Sequence, residues 1–306
     1  MIRVASIGEC MIELSPRPGG LLGLGFGGDT LNTAVYLARL GVAVDYLTAL
    51  GDDPYSDRML ALWREEGVGT ELVTRLPGRL PGLYMIEIDP QGERRFRYWR
   101  DRAPARELFQ REESENVIAA LPGYHLIYLS GISLSLYGEF GRKVLFTALD
   151  RARAAGARIA FDSNYRPRNW PDIATARAAM AAMLARTDIV LSSHDDERLL
   201  QDDGDPAACA RRLHGAGPGE VVLKQGALPC RIVTAEGELE VAAERVDRVV
   251  DTTAAGDSFN AGYLAARLAG RPPREAARAG HRLAAAVVGH VGALIPRAAM
   301  PVPVEA

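Results

Sequence analysis

Short apolar runs rich in Val and Ile alternate with amphipathic stretches along most of the chain. The apolar runs predict strands at residues 2–8, 42–49, 125–129, 157–161, 188–192 and 220–224. The stretches between and after them predict helices at residues 30–40, 55–66, 138–155, 174–185, 206–216, 257–269 and 273–289. This alternation is typical of a mainly parallel sheet that is covered by helices on both faces, so the expected fold class is α/β.

One segment departs from this alternation. Residues 83–89 and 93–99 alternate polar and apolar side chains around Asp89-Pro90-Gln91-Gly92, a favourable turn sequence, and therefore predict a β-hairpin. Residues 11–14 predict a further strand beside it. Extra strands inserted into an α/β protein suggest a small lid sheet over a cleft, although an ordinary edge hairpin has the same pattern.

The length of the chain and its content of apolar residues permit a full globular core. The chain has 306 residues, of which 48% are hydrophobic, and no repeat, low-complexity tract or long linker divides it. We therefore expect one domain over residues 1–306, with lid strands inserted at about 10–15 and 80–101.

Charge and cysteine content argue against several classes of function. The net charge is −3, which favours neither nucleic acid nor another polyanion as a partner. Cys10, Cys209 and Cys230 are far apart and form no C-x-x-C pair, so the expected compartment is a reducing cytoplasm. No apolar run approaches the roughly 18–20 residues that cross a bilayer, and we expect no membrane contact.

Five arginines lie close together in and just after the predicted hairpin. They are Arg94, Arg95, Arg97, Arg100 and Arg102. A solvated strand face accounts for such a group, and the same residues are also suited to bind an acidic small molecule.

A glycine pattern near the N-terminus resembles a dinucleotide fingerprint but lacks its context. Gly23, Gly25 and Gly28 spell G-x-G-x-x-G, yet a segment rich in Pro and Gly separates them from the first predicted strand. The fingerprint requires a strand that runs straight into the first glycine, so a nicotinamide or flavin site is not indicated. The chain also has no G-x-x-x-x-G-K-[ST], H-E-x-x-H or G-x-S-x-G sequence.

The strongest functional signal is the run Asp251-Thr252-Thr253-Ala254-Ala255-Gly256-Asp257, which follows a strand-like stretch at 244–250 and opens a predicted helix. Backbone N–H groups at such a helix start hold an anionic oxygen as charge builds during group transfer. Asp257 lies in the first turn, where a carboxylate can accept a proton from an alcohol that attacks a phosphoryl group. An isolated Gly-Asp pair would mean no more than a turn glycine and an acidic first-turn residue.

Two segments resemble the signatures of the ribokinase (PfkB-type carbohydrate kinase) family. Residues 251–264 resemble its second signature position for position. Thr30 stands before Leu31 where a small residue is usual, a departure that points away from ribokinase itself. The other matches to the N-terminal signature are Gly27, Gly28, Asn32, Gly41 and Gly51. The resemblance extends from residue 2 to about residue 299.

This resemblance implies a ribokinase-like three-layer α/β/α sandwich with a small inserted β-sheet lid. It also implies phosphoryl transfer from ATP, with Mg²⁺, to a sugar hydroxyl, with Asp257 as the catalytic base. A monovalent cation such as K⁺ is left open as a further cofactor, and a homo-oligomer formed through the lid is left open as an assembly.

Three parts of the chain resemble the family members that act on the 6-hydroxyl of the sugar acid 2-keto-3-deoxygluconate. They are residues 8–14 with 26–33, residues 97–100 and residues 162–167. Arg100 and Arg166 would pair with the carboxylate of such a substrate, which a neutral sugar lacks. The other substrate contacts that the resemblance implies are Gly28, Asp29, Thr30, Leu31, Asn32, Tyr84, Tyr98 and Asp257.

By the same resemblance, a second group of residues would bind ATP and form an anion hole. These are Asn164, Arg166, Lys224, Gly226, Ala254, Ala255, Gly256 and His281. His281 stands where relatives often carry an asparagine beside the adenine. Glu197 would contact Mg²⁺ through water as part of the family's Asn-x-x-Glu motif, although His194 replaces the asparagine.

Two alternatives remain open from the sequence. One is another kinase of the family, acting on fructose, ribose or a nucleoside. The other is a sugar-binding regulator without catalysis, against which Asp257 and the intact loop at 254–256 argue, because binding alone needs no base.

Overall fold

The computed structural model describes residues 2–88 and 94–301. Within these residues the strands are β1 (Arg3–Ile7), β2 (Met11–Arg17), β3 (Leu21–Gly27), β4 (Ala43–Leu47), β5 (Ala49–Gly51), β6 (Thr74–Leu76), β7 (Leu83–Ile88), β8 (Arg94–Trp99), β9 (Leu126–Ser130), β10 (Arg158–Asp162), β11 (Ile189–Ser193), β12 (Glu220–Gln225), β13 (Leu228–Thr234) and β14 (Gly237–Val241). The helices are α1 (Asp29–Arg39), α2 (Pro54–Glu65), α3 (Glu115–Ala120), α4 (Gly131–Leu136), α5 (Gly138–Ala154), α6 (Ile173–Leu184), α7 (His194–Gln201), α8 (Pro206–Gly215), α9 (Ala255–Leu268) and α10 (Pro273–Val288).

A central sheet of eight strands, in the order β14-β13-β12-β11-β10-β9-β1-β4, organises the molecule. The strands from β4 to β12 in this order are parallel, and β13 and β14 add an antiparallel edge. The six parallel strands are the six that the apolar runs predicted. Because parallel strands end at the same edge of a sheet, the segments that follow them converge there.

Helices cover both faces of this sheet, as a buried parallel sheet requires. All five residues of β9 are buried: Ile127 and Leu129 point into one core, whereas Leu126 and Tyr128 point into the other. The first core contains buried residues of α5, α6 and α8. The second contains buried residues of α1, α9 and α10. The predicted three-layer α/β/α arrangement is confirmed.

A second, four-stranded sheet in the order β3-β2-β7-β8 lies beside the main one and is called the lid sheet below. Strand β2 pairs with β3 in antiparallel and with β7 in parallel orientation, and β7 and β8 form the predicted hairpin. The turn predicted at residues 89–92 and the start predicted at Glu93 lie outside the described residues. Gly23 and Gly25 of the rejected dinucleotide pattern lie in β3.

Several elements differ from the sequence predictions. The strand-like stretch at 244–250 forms no regular element, and Val249 and Val250 at its end are 58% and 41% exposed. No strand of the described chain pairs with this stretch, and an apolar run without a pairing partner cannot complete a ladder of backbone hydrogen bonds. The elements that were not predicted are strands β3, β5, β6, β13 and β14 and helices α3, α4 and α7. None of the described helices is long and apolar enough to cross a membrane.

Gly131, the first residue of α4, supports a test of how tightly the layers pack near the end of β10. A methyl group at this position would lie 2.0 Å from the carbonyl oxygen of Ser163 and 2.4 Å from Cε of Met180. The Gly131→Ala variant should therefore lose roughly 1–3 kcal/mol in free energy of unfolding, as overpacked cores do. Gly123→Ala is the matched control, since a methyl group there meets nothing within 4 Å. Urea unfolding curves with equal midpoints for the two variants would contradict this packing.

Candidate active site

A two-lobed cleft lies where the parallel strands end and the lid sheet begins. The outer lobe, called the lid cleft, has a volume of about 1140 Å³ and is lined by residues of β8 and of the segments after β10 and before α9. The inner lobe, called the inner cleft, has a volume of about 550 Å³ and extends towards β12, α9 and α10. Residues common to both walls include Gly28, Asp29, Tyr98, Arg166 and Ala254.

The start of α9 forms one wall of the inner cleft. Ala254 caps this helix in the left-handed conformation, with φ of 60°, so Gly256 and Asp257 occupy its first turn. Asp251 holds the preceding loop: its carboxylate accepts hydrogen bonds from the Thr253 N–H at 3.0 Å and from the Gly292 N–H at 2.8 Å. The helix therefore directs first-turn N–H groups and the positive end of its dipole towards the cleft.

Asp162, Lys224 and Asn260 form a hydrogen-bonded cluster in the inner cleft. Lys224 Nζ lies 2.9 Å from Asp162 Oδ2 and 2.9 Å from Asn260 Oδ1, and Asn260 Nδ2 donates to Asp162 Oδ2 at 2.6 Å. A methyl group on Gly256 would lie 3.5 Å from Lys224 Nζ, so the ammonium group is close to the start of α9. The cluster therefore holds the positive charge of Lys224 beside the N-terminus of α9.

Two further carboxylates in the cleft are each held by an asparagine. Asn32 Nδ2 donates to Asp257 Oδ2 at 2.8 Å, which connects α1 to α9. Asn164 Nδ2 donates to Asp29 Oδ2 at 2.7 Å. Asn164 has a positive φ of 28°, and its own N–H bonds to Asp162 Oδ1 at 3.1 Å. These bonds fix the orientation of both carboxylates.

The surroundings of Asp257 disfavour its negative charge. The pKa of Asp257 is raised to about 8: burial is the largest cause and the nearby carboxylates of Asp29 and Asp162 add to it, while the Asn32 hydrogen bond and the Lys224 charge oppose the rise. Burial also raises the pKa of Asp29. A carboxylate with a pKa near neutral pH is suited to accept a proton in a reaction at that pH.

The predicted carboxylate-binding arginines, Arg100 and Arg166, both line the lid cleft, where the structure shows each paired with an acid. Arg100 forms an ion pair with Glu9, and both side chains are almost completely buried. Arg166 Nη1 lies 2.9 Å from Asp196 Oδ1, and its side chain is 52% exposed. Tyr98 lies beside them, with the Arg100 guanidinium 5.8 Å from its ring centroid.

Gly28 and Tyr84 complete the predicted sugar-facing wall. A methyl group on Gly28 would lie 2.1 Å from the carbonyl oxygen of Glu9, so only glycine fits where the segment between β1 and β2 approaches the start of α1. The Tyr84 phenol donates a hydrogen bond to the Glu13 carboxylate across neighbouring strands of the lid sheet. Both residues line the inner cleft.

The structure does not bring Thr30 and Leu31 into either cleft, although both were predicted as substrate contacts. Thr30 is buried, with its hydroxyl 3.2 Å from the phenol oxygen of Tyr46, and Leu31 packs in the core beneath α1. The reason is helical geometry: Asp29 and Asn32 are three residues apart and share the cleft face, so the two residues between them point elsewhere.

All eight residues predicted to bind ATP and form the anion hole line the inner cleft. They are Asn164, Arg166, Lys224, Gly226, Ala254, Ala255, Gly256 and His281. The ring of His281 packs edge-on against Phe259, with centroids 4.9 Å apart, and burial lowers the pKa of His281. Among residues 2–88 and 94–301, Nε2 of His281 has no hydrogen-bond partner, so a neutral ring offers one nitrogen to a ligand.

Glu197 lies outside both walls of the cleft. Its carboxylate oxygens accept hydrogen bonds from Ser192 Oγ at 2.8 Å and from Arg212 Nη2 at 2.6 Å. Its water-mediated contact to Mg²⁺ stays a prediction. The acidic residues that reach the inner cleft from this part of the chain are Asp195 and Asp196.

Comparison with known proteins assigns the chain to a family. The family model for pfkB family carbohydrate kinases matches residues 1–299, so the chain belongs to this family. A 2-dehydro-3-deoxygluconokinase of Dickeya dadantii (strain 3937) is 48% identical over 306 residues, which cover 97% of this chain and 98% of that protein. A 2-dehydro-3-deoxygluconokinase of Escherichia coli (strain K12) is 45% identical over 306 residues, with coverages of 98% and 99%.

Solved structures agree with the family assignment. The crystal structure of a fructokinase with bound ATP from Xylella fastidiosa superposes with a TM-score of 0.83 and 28% identity, covering 98% of this chain and 95% of that one. The predicted ribokinase-like fold is therefore confirmed, and the chain is a carbohydrate kinase by family.

The raised pKa of Asp257 has a consequence for stability. The pKa is about 8 in the folded chain and about 3.9 in an unfolded one. The folded state therefore retains a proton that the unfolded state loses, and stability should fall as pH rises from about 4 to about 8. In Asp257→Asn this loss cannot occur, so the melting temperature of the variant should exceed that of wild type by more at pH 8.5 than at pH 5.

The control for this comparison is Asp247→Asn, because the Asp247 side chain is 90% exposed. The melting temperature of this control variant should equal that of wild type at pH 5 and at pH 8.5. If calorimetry gave the same difference in melting temperature between Asp257→Asn and wild type at both pH values, the raised pKa of Asp257 would be contradicted.

Proposed function

We propose that the chain catalyses ATP-dependent phosphorylation of the 6-hydroxyl of 2-keto-3-deoxygluconate, also called 2-dehydro-3-deoxygluconate. The observation that carries this proposal is the position of Asp257: a base with a pKa near neutral, at a helix N-terminus, in a cleft continuous with an arginine-lined lobe. The names of the relatives at 48% and 45% identity support the same substrate.

The sugar acid fits the cleft with its carboxylate towards the arginines and its terminal hydroxyl towards Asp257. Arg100 and Arg166 supply planar guanidinium groups, which bind carboxylates through paired hydrogen bonds. Asp29 and Asn32 on the cleft face of α1 offer polar atoms to the sugar hydroxyls. The 6-hydroxyl, at the end opposite the carboxylate, then lies nearest the start of α9.

The chemical step transfers one proton and one phosphoryl group. The 6-hydroxyl oxygen attacks the γ-phosphorus of ATP, and its proton passes to the Asp257 carboxylate. The bond from the γ-phosphorus to the β,γ-bridging oxygen breaks, and ADP leaves with that oxygen. The N–H groups at the start of α9 and the Lys224 ammonium stabilise the negative charge on the transferred group.

ATP fits the inner cleft, with its phosphates towards Lys224, Asn164 and the loop 254–256. Gly226 and His281 line the part of the wall that is left for the nucleoside. Mg²⁺ supplies charge neutralisation on the phosphates when it is bound, and it prefers oxygen ligands. Asp162, Asp195 and Asp196 bring carboxylates to this wall and suit it.

Two other functions were left open by the sequence. A fructokinase would have the same fold and the same base, but its substrate would offer no carboxylate to the arginines of the lid cleft. A regulator without catalysis would not need a carboxylate whose pKa lies near 8 beside a helix N-terminus. The geometry therefore favours a kinase acting on a sugar acid.

The role of Asp257 as the base predicts a loss of turnover without a loss of binding. In Asp257→Asn the amide oxygen can still accept the hydrogen bond from Asn32, but the amide cannot accept the proton of the sugar hydroxyl. We expect kcat to fall by roughly 10²–10⁴ while both KM values stay within a few fold. A variant that keeps more than about a tenth of wild-type kcat would exclude Asp257 as the base.

The carboxylate-binding role of the arginines predicts a substrate-selective loss. A charge-assisted contact of about 1.5–3 kcal/mol implies that Arg166→Ala should lose roughly 10- to 200-fold in kcat/KM for 2-keto-3-deoxygluconate, with the lower end expected for a half-exposed side chain. The loss for fructose should be small. Arg278→Ala is the control, since Arg278 is exposed and lies outside both clefts.

Arg100→Ala belongs in the same assay but needs a stability measurement beside it, because it leaves the buried Glu9 carboxylate without its partner. Wild-type preference for fructose, or equal losses for the two sugars in Arg166→Ala, would favour the fructokinase reading instead.

A further inference from the structure

The arginines of the lid cleft differ in whether they already have a partner. The cleft is lined by Arg95, Arg97, Arg100, Arg166 and Arg168. Arg100 pairs with Glu9, Arg166 with Asp196, and Arg97 with Glu87 at 3.1 Å. Arg95 also has an interaction partner. Among residues 2–88 and 94–301, the guanidinium of Arg168 has neither a hydrogen bond nor an ion pair.

The position of Arg168 is fixed by a short turn rather than by its side chain. It is the middle residue of a 3₁₀ turn, Pro167–Asn169, that follows Arg166. The Asn169 N–H bonds to the Arg166 carbonyl at 2.9 Å, and the Trp170 N–H bonds to the Pro167 carbonyl at 3.2 Å. Trp170 is only 7% exposed and anchors the end of the turn in the core.

The charges of Arg168, Arg100 and Arg166 all influence the pKa of Tyr98. Burial is the largest influence on Tyr98 and raises its pKa, while the positive charges of Arg100, Arg166 and Arg168 oppose that rise. Arg168 lines the same lid cleft as Arg100, Arg166 and Tyr98. The charges of all three guanidinium groups therefore act on one part of this cleft.

We propose that Arg168 is a third residue that makes the site selective for an acidic sugar: beside Arg100 and Arg166, it provides a positive charge that no acid of the described chain neutralises. The proposal rests on the function proposed above. Arg100 with Glu9 and Arg166 with Asp196 are each close to neutral as pairs, so a carboxylate that binds to them approaches Glu9 or Asp196 as well. Arg168 carries no such like-charge penalty, and its binding to a carboxylate separates no existing ion pair.

This role concerns binding and not the transfer step, since Arg168 lines the lid cleft and is not part of the inner cleft that holds Asp257. The experiment measures steady-state kinetics of wild type, Arg168→Gln and Arg278→Gln with three substrates: 2-keto-3-deoxygluconate, fructose and ATP. Glutamine keeps a polar side chain but removes the charge. Arg278 is the matched control because it is exposed, has no ion pair in the described chain, and lies outside both clefts.

The expected result for Arg168→Gln is a rise of about 10-fold in KM for 2-keto-3-deoxygluconate, with kcat, KM for ATP and KM for fructose within about twofold of wild type. Added salt should raise the wild-type KM for the sugar acid and should affect the variant less, because the screened charge has been removed. Arg278→Gln should match wild type throughout.

Three outcomes would overturn the inference: an unchanged KM for the sugar acid, equal rises for the sugar acid and fructose, or a rise confined to ATP. The last result would assign Arg168 to the nucleotide. These outcomes can be distinguished from failure of the proposed function. If the proposed function is wrong, wild type itself will not phosphorylate 2-keto-3-deoxygluconate.

Discussion

Three carboxylates, those of Asp29, Asp162 and Asp257, line the inner cleft and interact electrostatically, and the site depends on how their charge is held. Lys224 neutralises Asp162 at 2.9 Å, while Asn164 and Asn32 donate hydrogen bonds to Asp29 and Asp257. Without these donors the buried charges would repel one another and lack solvation. With them, one carboxylate keeps a pKa near neutral and can serve as a base.

The fold brings these groups together by using strand ends and helix starts. Asp162 ends β10, Lys224 lies at the end of β12, Asp29 begins α1, and Asp257 lies in the first turn of α9. Parallel strands end at one edge of the sheet, so the residues that follow them meet there although they are far apart in sequence. The lid sheet adds Tyr84, Tyr98 and Arg100 from the other side, and the cleft between the two sheets is the result.

The sequence was sufficient to predict the parallel strands, the hairpin of β7 and β8, and the position of Asp257 in the first turn of α9, because each has a local pattern. It was not sufficient to predict the pairing of Arg100 with Glu9, whose positions are 91 residues apart. The same holds for Asn260 with Asp162, 98 residues apart. Such partners are set by the three-dimensional approach of distant segments. Thr30 and Leu31 line neither cleft, since helical spacing separates their side of α1 from that of Asp29 and Asn32.

The pH dependence of kcat/KM for 2-keto-3-deoxygluconate tests the central claim most directly, because it reports ionisation of the essential base in the enzyme before the sugar binds. With saturating ATP, the account predicts that kcat/KM rises about tenfold per pH unit at low pH and levels off above about pH 8. The position of this limb follows from the raised pKa of Asp257. A profile that is flat between about pH 6 and about pH 9 would contradict the claim that a buried carboxylate with a raised pKa removes the proton of the sugar.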